Sequence, residues 1–127
     1  IWGWRMLSPG QPFNAAAGGP GGARKVMILV TDGRNTLSPT YPAHDGTDSA
    51  TADRLTREVC ANIAADRANA IKLYTIAFEV DGLDVKSILQ SCASRTGGEF
   101  YDAANAAALR TSLGRAMQSI FGVKLTR

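Results

Sequence analysis

The residues of this chain best suited to chemistry are carboxylates that follow apolar runs. Asp32 stands in Thr31-Asp32-Gly33, directly after Lys25–Val30, and Asp81 and Asp102 fall at the equivalent ends of the next two apolar runs. A carboxylate at a strand end is a hard oxygen ligand of the kind Mg²⁺ and Ca²⁺ prefer. In open parallel α/β sheets, ligands bind beyond the carboxyl ends of the strands. Asp-Gly is also a common turn pair, so Asp32 by itself reads as a ligand or as a turn. Cys60 and Cys92 are the only cysteines, compatible with one disulfide or with two buried thiols. A structural zinc site needs about four ligands, and the chain offers a single histidine, His44. His44 lies in a Pro-flanked polar loop with no placed partner, which leaves Ser/His/Asp and Cys/His chemistry unsupported. Gly18 to Gly22 resembles a phosphate loop only in its glycines, because it precedes a strand and lacks the Lys-Ser/Thr pair.

The elements that must position these groups alternate. Trp2 to Leu7 is short and apolar, the end of a helix or an interface patch, with Trp2 and Trp4 read as core contacts for an absent half. Pro9 to Gly22 is rich in Gly, Pro and Ala and reads as a loop. Lys25–Val30 is apolar throughout, as strands covered on both faces are. Arg34 to Asp48 is polar and holds Pro39 and Pro42, hence loop. From Thr51 to Asn69 the pattern turns helical, with Leu55, Val59 and Ile63 on one face beside Cys60 and Ala64. Thr51 or Ser49 can cap it. Lys72 to Val80 is a second buried strand, stopped at Asp81-Gly82. Asp84 is placed to cap a shorter helix whose inner face is Val85, Ile88, Leu89 and Cys92, ended by Gly97-Gly98. Glu99 to Ala103 is a third strand, and Asn105 caps a last helix with Leu109, Leu113, Met117 and Ile120 along one face.

Strand–helix alternation with short turns means right-handed crossovers and a parallel sheet. The expected fold is therefore α/β, a partial doubly wound, Rossmann-like sheet of about three strands flanked by helices. Such sheets usually hold five or six strands, so the N-terminal half reads as missing. Residues 1–24 would be a helix remnant and loop, and 25–127 the C-terminal half of the domain. With 127 residues, 45% hydrophobic and 20% charged, the chain suits one compact domain. Net charge is +3 with the basic residues scattered, which argues against a nucleic-acid stripe. No apolar stretch approaches the ~20 residues of a membrane span.

The strand KVMILVTDG (Lys25 to Gly33), a polar loop, a helix and the strand IKLYTIAFEV (Ile71 to Val80) resemble the second half of a von Willebrand factor A domain. WGWRML with Ser8-Pro9, TDGRNT (Thr31 to Thr36), Cys60 ahead of IKLYTIAFEV, and Ser91-Cys92-Ala93-Ser94, in that order, resemble the C-terminal region of TadG-like proteins. These are cell-envelope proteins of bacterial tight-adherence pilus systems. The resemblance implies that Asp32 belongs to a metal-ion-dependent adhesion site. The site is incomplete here: the family's DxSxS motif is absent, Asp48-Ser49-Ala50-Thr51 does not have its spacing, and the matching Thr would fall before Ile1. No cofactor is expected in this chain, with Mg²⁺ or Mn²⁺ held only by the complete domain. The resemblance also implies an extracytoplasmic, envelope location, a membrane anchor outside this segment, and oxidation of Cys60 and Cys92 to a disulfide. Helices on opposite sheet faces could not be bridged in this way.

The function so implied is a non-catalytic protein-interaction or adhesion module in pilus assembly or surface attachment. Its binding rim would comprise Thr31, Gly33, Arg34, Asn35 and Asp81 around Asp32, and its partners would be pilus components or a surface ligand. The rival is a fragment of a metal-dependent or nucleotide-handling α/β enzyme whose active-site half is absent. Without a neighbour strand, Val26 to Val30 would present a bare apolar edge, and self-association that covers it is expected.

Overall fold

The computed structural model describes residues 2–8, 24–33 and 49–122. In chain order the elements are α1 (Trp2–Leu7), β1 (Val26–Thr31), α2 (Ser49–Ala65), β2 (Lys72–Phe78), α3 (Leu83–Arg95), β3 (Phe100–Ala103) and α4 (Ala106–Phe121). The strands form one parallel sheet in the order β1-β2-β3, with Val26 beside Lys72 and Thr75 beside Phe100. The alternating α/β pattern and the three-stranded parallel sheet are as the sequence predicts.

Strand order equal to chain order has a geometric consequence. Two right-handed crossovers advancing in the same direction place both of their helices on the same face of the sheet. On that face Leu73 packs with Cys60 of α2 and with Ile88 and Cys92 of α3, and Met27 of β1 leans on the cluster. Further along, Ala77 packs with Val80, Val85 and Leu89, and Phe100 joins them. The fully buried Thr75 donates its hydroxyl to the Leu89 carbonyl at 2.8 Å, so this polar side chain is satisfied inside the core. Cys60 and Cys92 are joined by a disulfide with their Cα atoms 5.1 Å apart. The bond is possible because α2 and α3 share a face.

The other face carries α4. Tyr74 meets Ser119 there, hydroxyl to hydroxyl at 3.2 Å. Asn105 caps α4 as predicted, its Oδ1 accepting from the Ala108 N–H at 2.8 Å. Gly122, in the left-handed conformation that a side chain disfavours, ends the helix. Where α3 hands over to β3, a Cβ on Gly98 would stand 2.0 Å from the Leu73 carbonyl oxygen. The chain can pass that close to β2 only without a side chain.

Three predicted helix details differ. Asp84 is not the cap of α3: Gly82 holds the N-cap position and Asp84 lies in the first turn, where its charge still complements the helix dipole. The buried face of α2 is Ala52, Cys60 and Ile63, with Leu55 and Val59 only half-buried. Cys60 is turned inward, where it is bonded to Cys92. The sheet-facing residues of α4 are Ser112 and Ala116, while Leu113 and Met117 are 37% and 45% exposed. Small residues let α4 lie close on the strands, and the large ones project to its flank.

Candidate functional site

Thr31, Asp32, Gly33, Glu79 and Asp81 share the carboxyl edge of the sheet, because parallel strands end together. Thr31 closes β1 beside Ala77 of β2, and its hydroxyl lies 3.3 Å from the Gly33 carbonyl and 3.5 Å from the Gly33 N–H. The hydroxyl thus folds the chain back on itself and leaves Asp32 exposed at the tip. Beneath this turn is a small cavity of about 110 Å³ lined by Leu29, Thr31, Gly33, Thr56, Val85 and Leu89, among others. It is mostly apolar and well below the ~300–1,000 Å³ of a small-molecule site.

At the end of β2 the chain turns one step earlier than Asp81-Gly82 suggests. Glu79 is left-handed, with φ of 53°, and its N–H donates to the Ala103 carbonyl of β3 at 2.8 Å. That bond holds a non-glycine residue where side chains are disfavoured. It sends Val80 back into the core, 6% exposed, and leaves Asp81 and Asp84 outward. A left-handed non-glycine residue at the carboxyl edge of the sheet is a feature that alternating hydrophobicity does not signal.

Asp102 is removed from the set of free strand-end carboxylates, since it accepts a 2.8 Å bond from Lys86 Nζ of α3. Arg34, Asn35 and His44 lie outside the described residues. Among the described residues no three His, Cys, Asp or Glu side chains converge on one point that could hold a metal. With Thr31 turned to its own loop and Asp102 engaged by Lys86, the described donors do not by themselves make a tight Mg²⁺ or Mn²⁺ site, which needs near-octahedral oxygen ligation. The rim can present carboxylates and backbone groups to a partner. It offers no described nucleophile–base pair.

The amino edge of the sheet differs in charge. A hollow of about 430 Å³ is bounded there by Arg24, Lys25, Lys72, Tyr74 and Ile120, among others. Its polar groups are largely engaged with one another: Lys25 Nζ donates to Asn69 Oδ1 at 2.7 Å, and Tyr74 meets Ser119. Nearby, α1 is tied down through Trp4, whose indole N–H donates to Asp66 Oδ2 at 3.0 Å. The Asn69 side chain donates to the same oxygen at 2.7 Å. Hydrogen bonds from Asn69 and then Trp4 hold the Asp66 carboxyl below its ordinary range. Trp4 is thus anchored to the turn after α2, a partnership that apolar patterning did not reveal. At the outer strand, burial and then the hydrogen bond to Glu99 push the Tyr101 hydroxyl above its ordinary range. That keeps Tyr101 protonated, a structural contact and not an acid–base group.

Among the described residues no helix is long and apolar enough to cross a membrane. The disulfide pair is what an oxidising, extracytoplasmic environment would produce. No known family model, no curated protein and no solved structure matches this chain.

Proposed function

We propose that this chain is part of a von Willebrand factor A-type, TadG-like protein-interaction module of the bacterial cell envelope. It serves pilus assembly or surface attachment without turnover chemistry. The observation that carries the reading is the position of Asp32, exposed at the carboxyl end of β1 in a parallel α/β sheet. That is where the Thr-Asp-Gly resemblance puts the carboxylate of an adhesion site. The rim around it, with Thr31, Gly33 and Asp81 and with Arg34 and Asn35 next in sequence, is the surface a protein partner would engage. A divalent ion belongs to the complete domain only, where further oxygen ligands join Asp32. The Cys60–Cys92 disulfide supports an envelope location.

The test is binding of the oxidised chain to purified pilus components on a sensor surface, with and without Mg²⁺. Binding should weaken about ten-fold or more for Asp32→Ala with the fold unchanged, the range of an interface hot spot. Calorimetry should show no micromolar affinity for Mg²⁺ or Mn²⁺. Binding that ignores substitutions at Asp32, Asn35 and Asp81 would remove the rim from the proposal, and micromolar metal affinity would overturn its incompleteness.

A further inference from the structure

The hollow of about 430 Å³ at the amino edge of the sheet has the size of a small-molecule site. It lies at the opposite end of the strands from Asp32. Three cationic side chains border it: Arg24 and Lys25 lead into β1, and Lys72 opens β2. Val26 stands beside Lys72 in the ladder. Tyr74 follows Lys72 by two residues, so both belong to the face that carries α4. Val26, Tyr74 and Ile120 give the hollow an apolar wall.

Its charges do not balance. Among the described residues no carboxylate lines it. Of the nearby acids, Asp66 accepts from Trp4 and Asn69, and Glu99 accepts from Tyr101. Lys25 Nζ is held at 2.7 Å by Asn69 Oδ1, and Asp66 offsets part of its charge. The excess therefore sits with Arg24 and Lys72, both exposed and both without a side-chain partner among the described residues. The adjoining stretches 9–23 and 123–127 contain no Asp or Glu, so whatever their course they bring no side-chain carboxylate to these cations. Asp45 and Asp48 fall between Gly33 and Ser49, which both stand at the carboxyl edge.

Two uncompensated cations beside an apolar wall suit a dianion on an organic body. A phosphate monoester carries a charge of about −1.5 to −2 at neutral pH and three acceptor oxygens, and the guanidinium fork matches it bidentately. Lys25, already fixed by Asn69, adds positive potential at no further ordering cost. We infer that this hollow binds a small phosphate monoester, with the phosphate between Arg24 and Lys72 and the organic body against Val26, Tyr74 and Ile120. The site is separate from the rim, so rim binding should be unchanged by substitutions here and either proposal can fail alone.

Titration of the oxidised chain with phenyl phosphate should shift the amide resonances of Asn69, Lys72 and Ser119 saturably and leave those of Asp32 and Asp81 in place. Inorganic phosphate and phenol, each carrying one half of the probe, should bind at least about five-fold more weakly. Arg24→Gln and Lys72→Gln should each weaken phenyl phosphate about five-fold, the upper range of one exposed charge pair. Ala68→Phe, which adds bulk to the lining without altering charge, should weaken it as well. Arg110→Gln, near the other end of α4, should not. Circular dichroism confirms that each variant is folded. Phosphatidate vesicles distinguish the two sources of this group: co-sedimentation that is lost with Arg24→Gln and Lys72→Gln assigns a lipid headgroup, and its absence with phenyl phosphate binding intact assigns a soluble ester. No saturable shift, equal binding of inorganic phosphate, or affinity that ignores Arg24 and Lys72 would each overturn the inference.

Discussion

The two faces of the sheet are built from the same three strands yet finished to different degrees. On the face under α2 and α3, even the edge strand is covered, since Met27 packs against Cys60, Leu73, Ile88 and Cys92. On the face under α4, Tyr74 and Ile76 are buried, but Ile28 and Val30, their neighbours across the ladder, are not. The difference follows from connectivity. Two crossovers deliver two helices to one face, while among the described residues the other receives α4. Ile120 lines a hollow with Val26, whereas Arg115 acts on Tyr101 of β3. Stability should be concentrated on the closed face and association on the open one.

The largest expected effect is on the closed face. Gly98→Ala must push the start of β3 off the Leu73 carbonyl and should cost more than about 4 kcal/mol, the range of exceptional backbone conflicts. A mild shift in thermal unfolding would mean that the α3–β3 connection can yield more than the close passage of Gly98 over the Leu73 carbonyl implies. Next comes the disulfide, which spans 32 residues. In the chain-entropy view its removal by Cys60→Ala with Cys92→Ala loses about 3–4 kcal/mol, or about 15 °C in midpoint, and reduction should do the same. Leu73→Ala should cost about 3 kcal/mol through the cavity it leaves, read by urea denaturation.

The open face supplies the contrast. Val30→Thr should change stability by less than about 0.5 kcal/mol while reducing self-association. A loss as large as that of Leu73→Ala would show that something covers Val30 and would erase the distinction between the faces. The smallest effect is that of pH on α1. Because hydrogen bonds depress the Asp66 carboxyl in the folded chain, its contribution is present above the unfolded value of about 3.9 and is lost as pH falls through the lower folded value. The wild-type midpoint should therefore drop below about pH 4 relative to Asp66→Asn, whose own profile lacks this step. Equal slopes would remove Asp66 from the anchoring of α1.

Much of the fold is legible in the residues. The run Lys25–Val30, the stretch Lys72 to Val80 and the inner face Val85, Ile88, Leu89 and Cys92 announce their elements because their apolar periods are clean. Asn105 declares its own cap. The α4 face is misread because periodicity finds large residues, whereas close helix–sheet contact selects Ser112 and Ala116. The candidate site is only partly legible: Asp32 can be placed at a strand end from its neighbours, but the left-handed Glu79 and the capture of Asp102 by Lys86 depend on residues distant in sequence.

What the sequence alone determined is the alternation of strands and helices and the position of Asp32 behind an apolar run, since both follow from local composition and spacing. The tertiary structure alone decided that α2 and α3 share a face and that Cys60 and Cys92 therefore meet. It also decided that, among the described residues, Ile28 and Val30 stay uncovered while Met27 is packed, on the strand whose apolar edge the sequence already leads us to expect. Those outcomes depend on strand order and crossover hand, which are properties of the assembled sheet and not of any one segment.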